Sequence, residues 1–215
     1  MFKLSVLLLA FLVAQTIGHA AVKKPPVRNF GSVAQKACGA PVYKLLTNLA
    51  GPMEAVELKI DDDYDPEACD LYFCRGANYE DNVDNTREYE AGTVVPFEID
   101  IVAHHTGYAN VSVVNLAAKV PIARLFTWPV YANESLGPSK WPKNESSFEV
   151  TIPDLGGKCS ESGACAIQSA LVLFVVAYMV KLFLTFRWYW LAYPAPAYPA
   201  GKHQTYMSCV DFTQQ

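Results

Sequence analysis

The chain is 215 residues long, 52% hydrophobic and 18% charged, with a formal net charge of -4. No run of lysine and arginine could follow a phosphate backbone, which argues against a nucleic-acid partner. The length suits one domain with a sizeable core.

Lys3 puts a positive charge behind Met1, residues 4–14 are an apolar run, and Thr16-Ile17-Gly18 ends on a small residue. This is the layout of a secretory signal peptide over residues 1–18, with residues 19–215 as the secreted domain. Cleavage after Gly18 makes His19 the first residue. Gly18-His19-Ala20 is also an acceptable stop and would leave Ala21 first. The choice has chemical weight, because a free α-amine and an imidazole on one N-terminal histidine can bind a single metal together.

Six cysteines behind such a leader imply up to three disulfides in an oxidising compartment. Many connectivities are open to Cys38, Cys69, Cys74, Cys159, Cys165 and Cys209. The short separations of Cys69 from Cys74 and of Cys159 from Cys165 favour local pairs, which would leave Cys38 for Cys209. Asn110, Asn133 and Asn144 each begin an N-x-S sequon and are expected to be glycosylated surface positions.

The coarse pattern is β. Residues 94–102 (VVPFEIDIV), 108–114 (YANVSVV), 147–152 (SFEVTI) and 165–168 (CAIQ) alternate or bunch apolar and β-branched side chains between Pro, Gly and Asn clusters. Short strands at that spacing predict an all-β, immunoglobulin/fibronectin-III-like sandwich with long loops. Residues 61–65 (DDDYD) lack EF-hand spacing and read as a solvated acidic loop or helix start. Residues 75–82 are polar and turn-rich, as in a long surface loop.

Residues 169–186 (SALVLFVVAYMVKLFLTF) break the pattern: 18 residues with one charge, Lys181, the length of a marginal membrane helix. A spanning helix here would part Cys165-Ala166-Ile167-Gln168 from Trp188-Tyr189-Trp190, which read as one strand. It would also put Tyr206 and Cys209 across a bilayer from His19. A translated intron explains the segment better. The excess over 169–187 is 19 residues, a whole number of codons. Leu184-Thr185-Phe186-Arg187 can be encoded by a branch-point-like sequence followed by an acceptor, and Gln168-Ser169 by a donor, so that removal joins Gln168 to Trp188. The segment is expected as an apolar helix foreign to the domain.

With 169–187 set aside, the remaining motifs fall in a recognisable order. They are His19-Ala20-Ala21-Val22-Lys23-Lys24-Pro25-Pro26, Ala37-Cys38-Gly39, Leu71-Tyr72-Phe73-Cys74-Arg75-Gly76, Tyr79-Glu80-Asp81-Asn82, His105-Thr106-Gly107-Tyr108, the split Cys165-Ala166-Ile167-Gln168 and Trp188-Tyr189-Trp190, and Gln204-Thr205-Tyr206-Met207-Ser208-Cys209. In order and spacing the mature chain resembles fungal lytic polysaccharide monooxygenases of auxiliary-activity family 16.

The resemblance implies one copper ion in a histidine brace, formed by the α-amine and imidazole of His19 and an imidazole nitrogen of a second histidine. His105-Thr106-Gly107 matches the His-x-Gly pattern that carries the second ligand in the related cellulose-active family, so His105 is assigned to it, with His104 as the alternate. The resemblance further places Tyr206 at the axial copper position and Gln204 beside the oxygen-binding position, with a disulfide at Cys209 holding the tyrosine. A competing Gln-x-Tyr across the junction, Gln168-Trp188-Tyr189, reads as core strand. Tyr43 is a candidate for stacking on a flat polysaccharide.

The implied function is oxidative cleavage of glycosidic bonds in cellulose or a related β-glucan, with C1 oxidation. The enzyme would be a secreted monomer working on an insoluble polysaccharide, with an external electron donor, oxygen or hydrogen peroxide, and no membrane partner. No acidic pair is spaced as in a hydrolase. Two other readings stand beside it: a non-catalytic copper-binding protein of the same fold, and a membrane-anchored cell-surface β-sandwich.

Overall fold

The structure is a computed structural model that describes residues 19–169, 190–192 and 204–215, with backbone only at His19, Ser169 and 190–192. The predicted leader, and the apolar segment beyond Ser169, lie outside the described residues. In chain order the strands are β1 (His19–Lys24), β2 (Arg87–Glu88), β3 (Val94–Ala103), β4 (Gly107–Asn115), β5 (Val120–Tyr131), β6 (Ser147–Thr151), β7 (Cys165–Ser169), β8 (Trp190–Ala192), β9 (Gln204–Tyr206) and β10 (Cys209–Thr213). The α-helices among the described residues are short: α1 (Ser32–Cys38), α2 (Ala40–Leu46), α3 (Met53–Glu57) and α4 (Lys143–Ser146). No helix among the described residues is long and apolar enough to cross a membrane.

The fold is an all-β sandwich. A three-stranded sheet, β1-β3-β6, packs against a larger one centred on β4. In β3, Val95, Phe97 and Ile99 are buried while Val94, Glu98 and Asp100 face out, the two-residue alternation of a strand with one face on a core. Phe148 of β6 stacks on Phe97 with ring centroids 5.2 Å apart and meets Trp128 of β5 edge-on at 4.7 Å, which joins the two sheets. The strands expected at 94–102, 108–114, 147–152 and 165–168 are β3, β4, β6 and β7. β5 was not legible because its apolar and polar residues do not alternate: most of it is only partly buried.

β4 is buried continuously over residues 109–114. Val111 and Val113 face the main core, while Val114 joins Phe73, Cys74, Ala166 and Cys209 in a smaller cluster on the other face. Phe73 and Cys74, which cover that second face, lead into the turn-rich segment expected to be a surface loop. Arg75 is only 1% exposed and Asn82 2%, so the segment is packed structure instead. Asn82 Nδ2 donates inward to the carbonyls of Asn29 and Asn78, and Arg75 Nη2 to that of Asn48, while Arg75 Nη1 is buried with no hydrogen-bond partner among the described residues.

The same layering overturns two of the three expected disulfide pairings. Cys38 is bridged to Cys69 and Cys74 to Cys209, while Cys159–Cys165 is the local pair that was expected. Cys38 and Cys69 belong to the main core, and Cys74 and Cys209 to the outer cluster. Between Cys69 and the next segment the chain reverses through three successive positive-φ residues, Cys74, Arg75 and Gly76, which turn Cys74 toward β10. Gly76 is required there: a Cβ would lie 2.9 Å from Cys69 Sγ.

Asn110 is also corrected. It is fully buried in β4 and accepts from Ser112 Oγ at 3.4 Å, so the folded chain cannot carry a glycan there. Asn133 and Asn144 are accessible. The acidic residues 61–65 form an exposed turn, in which Asp61 Oδ1 accepts from the Asp63 amide, and Asp65 Oδ1 closes the next turn by accepting from Glu67 and Ala68.

β5 runs along one edge of β4, and β7 and β8 share the other edge. Beyond them β10 pairs with β7 and β9 with β8.

Candidate functional site

β1 begins at His19, whose backbone lies opposite Ala103, the last residue of β3. From Ala103 the chain passes through His104, His105 and Thr106 and enters β4 at Gly107. Gly107 faces Ala192 of β8, and Ala192 faces Gln204 of β9. At about 4.8 Å per strand, the Gln204 backbone is about 10 Å from Gly107. Residues 103–107 therefore cross from one sheet to the other, and the register gathers the start of β1, His105 and β9 at one end of the sandwich.

The two adjacent histidines have different surroundings. His105 is 3% exposed. Its Nδ1 lies 3.3 Å from Glu134 Oε2, and its Nε2 is buried with no hydrogen-bond partner among the described residues. His104 is only partly buried and stacks on Trp141, with ring centroids 3.5 Å apart and 13° between planes. Burial, and secondarily the neighbouring His105, hold the His104 imidazole below its ordinary pKa. Trp141 is itself fixed by donating from Nε1 to the Leu136 carbonyl at 2.8 Å.

Glu134 belongs to the turn that follows β5. Ala132, at φ 51°, swings the chain off the strand. The Glu134 amide then donates to Thr106 Oγ1 at 3.1 Å, so the turn is tied to the histidine segment through both backbone and side chain. Beneath it, Tyr131 donates from its hydroxyl to the Glu145 carbonyl at 2.7 Å.

On β9, Tyr206 is fully buried and donates from its hydroxyl to Gln204 Oε1 at 3.0 Å. Burial, reinforced by the Glu54 carboxylate and opposed by the Arg75 guanidinium, pushes the phenol well above its ordinary pKa. Glu54 also accepts the Thr205 amide at 2.7 Å, which fixes β9 to α3. Arg75 is itself pulled below the ordinary guanidinium value by burial, with Tyr206 acting the other way. Tyr43 is committed elsewhere: its ring meets Phe30 edge-on and its hydroxyl donates to the Phe30 carbonyl.

The backbone thus brings the expected His19, His105, Gln204 and Tyr206 to one end. Among the described residues no three His, Cys, Asp or Glu side chains cluster to hold a metal; of the expected brace, one imidazole is described. Sequence reasoning missed Glu134, Glu54, Arg75 and Trp141. Glu134 follows the sequon Asn133 and lies 29 residues from His105, with no local signal joining them.

No protein-family model and no curated protein matches the sequence. Several solved structures are similar, two of them as follows. One is a lytic polysaccharide monooxygenase of family AA15 from Thermobia domestica in the Cu(I) state, at 13% identity and a TM-score of 0.29 over 60% of this chain. The alignment spans 62% of that protein's length. The other is a chitin-binding domain from Burkholderia pseudomallei, at 13% identity and a TM-score of 0.38 over 92% of this chain and 100% of that one. Likenesses this distant bear on neither residues nor activity.

Proposed function

We propose that residues 19–215 form a secreted, monomeric, copper-dependent lytic polysaccharide monooxygenase. Its substrate would be cellulose or a related insoluble β-glucan, oxidised at C1 with an external electron donor and oxygen or hydrogen peroxide. The supporting observation is a juxtaposition. The first residue of the expected mature chain pairs with Ala103, two residues before a buried histidine whose Nε2 has no hydrogen-bond partner among the described residues.

The donor set fits the ion. Nitrogen ligands suit Cu(II), and an unsatisfied buried nitrogen is the kind of group that a metal satisfies. His19, through its amine and imidazole, and His105 would hold it, with Tyr206 beside it. Bound there, copper supplies one-electron chemistry toward oxygen or peroxide.

The remaining work falls to the chain. Burial keeps the Tyr206 phenol protonated, so it acts as a neutral donor to Gln204 rather than as a phenolate. The Gln204 carbonyl being turned to Tyr206, its amide end is the one that can donate to an oxygen at the site. The His104–Trp141 stack offers a flat aromatic surface next to His105 on which a sugar ring can rest.

The test is product mass. Mature protein incubated with cellulose, copper and ascorbate should release oligosaccharides with aldonic-acid ends, and none without the reductant. Unoxidised oligosaccharides released without copper would make the protein a hydrolase and overturn the reading.

A further inference from the structure

We infer that Glu134 is the positioning residue that decides which nitrogen of His105 is offered to the metal. This rests on the copper-site reading above. A carboxylate only accepts hydrogen bonds, so the contact of Glu134 Oε2 with Nδ1 at 3.3 Å places the ring proton on Nδ1 and the lone pair on Nε2. Nε2 is the buried nitrogen without a hydrogen-bond partner among the described residues. This division, a carboxylate on one ring nitrogen and an open lone pair on the other, is the one that orients metal-bound histidines and raises their basicity.

Glu134 is suited to the part. Its side chain is 31% exposed, so its charge stays hydrated, while the ring it holds is 4% exposed and cannot turn without displacing its neighbours. Its backbone is fixed independently through Thr106, so the carboxylate does not depend on His105 for its place.

The experiment is a calorimetric Cu(II) titration of the mature protein as secreted and of its Glu134→Ala, Glu134→Gln, His105→Ala and double His105→Ala/Glu134→Ala variants. Cu(II) paramagnetic resonance spectra and melting of the metal-free proteins accompany it. Glu134→Ala should weaken Cu(II) binding about 10- to 100-fold and change the copper hyperfine coupling while leaving metal-free melting in place. Glu134→Gln keeps an oxygen acceptor and should recover most of the loss. In the His105→Ala background, Glu134→Ala should cost nothing further. Full affinity in Glu134→Ala beside a loss in His105→Ala overturns the positioning role and leaves the ligand reading standing. So does a Glu134→Ala loss that persists without the histidine. Unchanged affinity in His105→Ala overturns the copper-site reading itself.

A second inference rests on strand register alone. Paired residue numbers in an unbroken antiparallel ladder have a constant sum. β7 puts Ser169 opposite Val111 and Cys165 opposite Asn115. Continued in that register, residue 172 would face Tyr108, and the residue found there is Leu191, 19 positions late. On the other side, Gln168 faces Cys209, so residue 171 would face Tyr206; the residue found is Trp190, again 19 late. Both neighbours treat β7 and β8 as one strand from which 19 residues must be removed.

The geometry points to an in-frame insertion at 169–187, a translated intron, in a chain whose functional form runs from Gln168 directly to Trp188. Transcript sequencing should show those codons joined. The shortened chain should be the one secreted and able to bind Cu(II). A peptide from 169–187 recovered from the secreted protein overturns the inference.

Discussion

Tyr206 and Gln204 are locked to each other on one three-residue strand, the phenol donating to the amide oxygen across 3.0 Å. The pair is held by the α3 carboxylate of Glu54 on the amide between them, and by burial that keeps the phenol protonated. Tyr206→Phe removes the donor and keeps the ring, so Gln204 should lose its orientation while the nitrogen ligands stay in place. Oxidised product should fall about tenfold, equivalent to about 1.4 kcal/mol, with Cu(II) affinity within about twofold of the parent. A loss of affinity as large as that of His105→Ala would make the phenol a principal ligand.

The position of His19 sets the next expectation. Its backbone lies opposite Ala103, so the residue that the first cleavage option exposes is already paired within β1. Cutting before Ala21 would remove two residues of an inward-packed strand, including fully buried Ala20. N-terminal sequencing of the secreted protein should therefore read His-Ala-Ala-Val. His19→Ala should abolish tight Cu(II) binding. A mature chain that starts at Ala21 would end the brace assignment, since no residue would then carry both an amine and an imidazole.

The alternating segments of the small sheet, β3 and β6, were legible because one face packs on the core and the other meets water. β4 was legible for a different reason, as a β-branched run covered on both faces. The strands that were missed lack either signature. β9 is three residues long, and all five residues of β10 are buried with no alternation. The disulfides were misread because sequence separation was taken as a guide to distance. The fold instead buries Cys74 in a different layer from Cys69, five residues away. At the candidate site, His19 was legible from the leader pattern and His105, Gln204 and Tyr206 through the family resemblance, while Glu134 and Glu54 reach it only through segments whose course depends on tertiary packing.

The corrected disulfides carry an energetic ordering. Cys74–Cys209 closes 135 residues of sequence, Cys38–Cys69 closes 31 and Cys159–Cys165 closes 6. Loop-closure entropy grows with the length of the loop. Replacing both Cys74 and Cys209 by serine should cost about 2–5 kcal/mol, more than the corresponding change at Cys159 and Cys165. It should also reduce oxidised product, because Cys209 follows Tyr206 by three residues. Thermal unfolding of the paired variants checks the order. Equal losses would mean that native-state packing, rather than the unfolded chain, sets the contribution of each bridge.

The last expectation concerns Glu145, under the turn that carries Glu134. Its carboxyl is pushed above the ordinary carboxylate value by burial, against the opposing effect of the Ala132 amide, and Oε2 is buried without a hydrogen-bond partner among the described residues. A raised folded value has a definite sign in stability. Below the ordinary value near 4.5, both folded and unfolded states hold the proton and nothing is lost. Between that value and the raised one the folded chain retains a proton that the unfolded chain has released, so stability falls as the pH rises through this window. Above it the charge is buried at full cost. Glu145→Gln has the same shape and no charge, and it leaves the Asn144 sequon intact. Its stability relative to the parent should therefore rise with pH across the window and level off above it, so that the variant melts higher at neutral pH, by about 2–4 °C for each kcal/mol recovered. Melting curves of the two proteins from pH 4 to pH 8 give the comparison directly. A difference that stays constant across that range would show that the carboxyl does not change charge there, and that its contribution is packing alone.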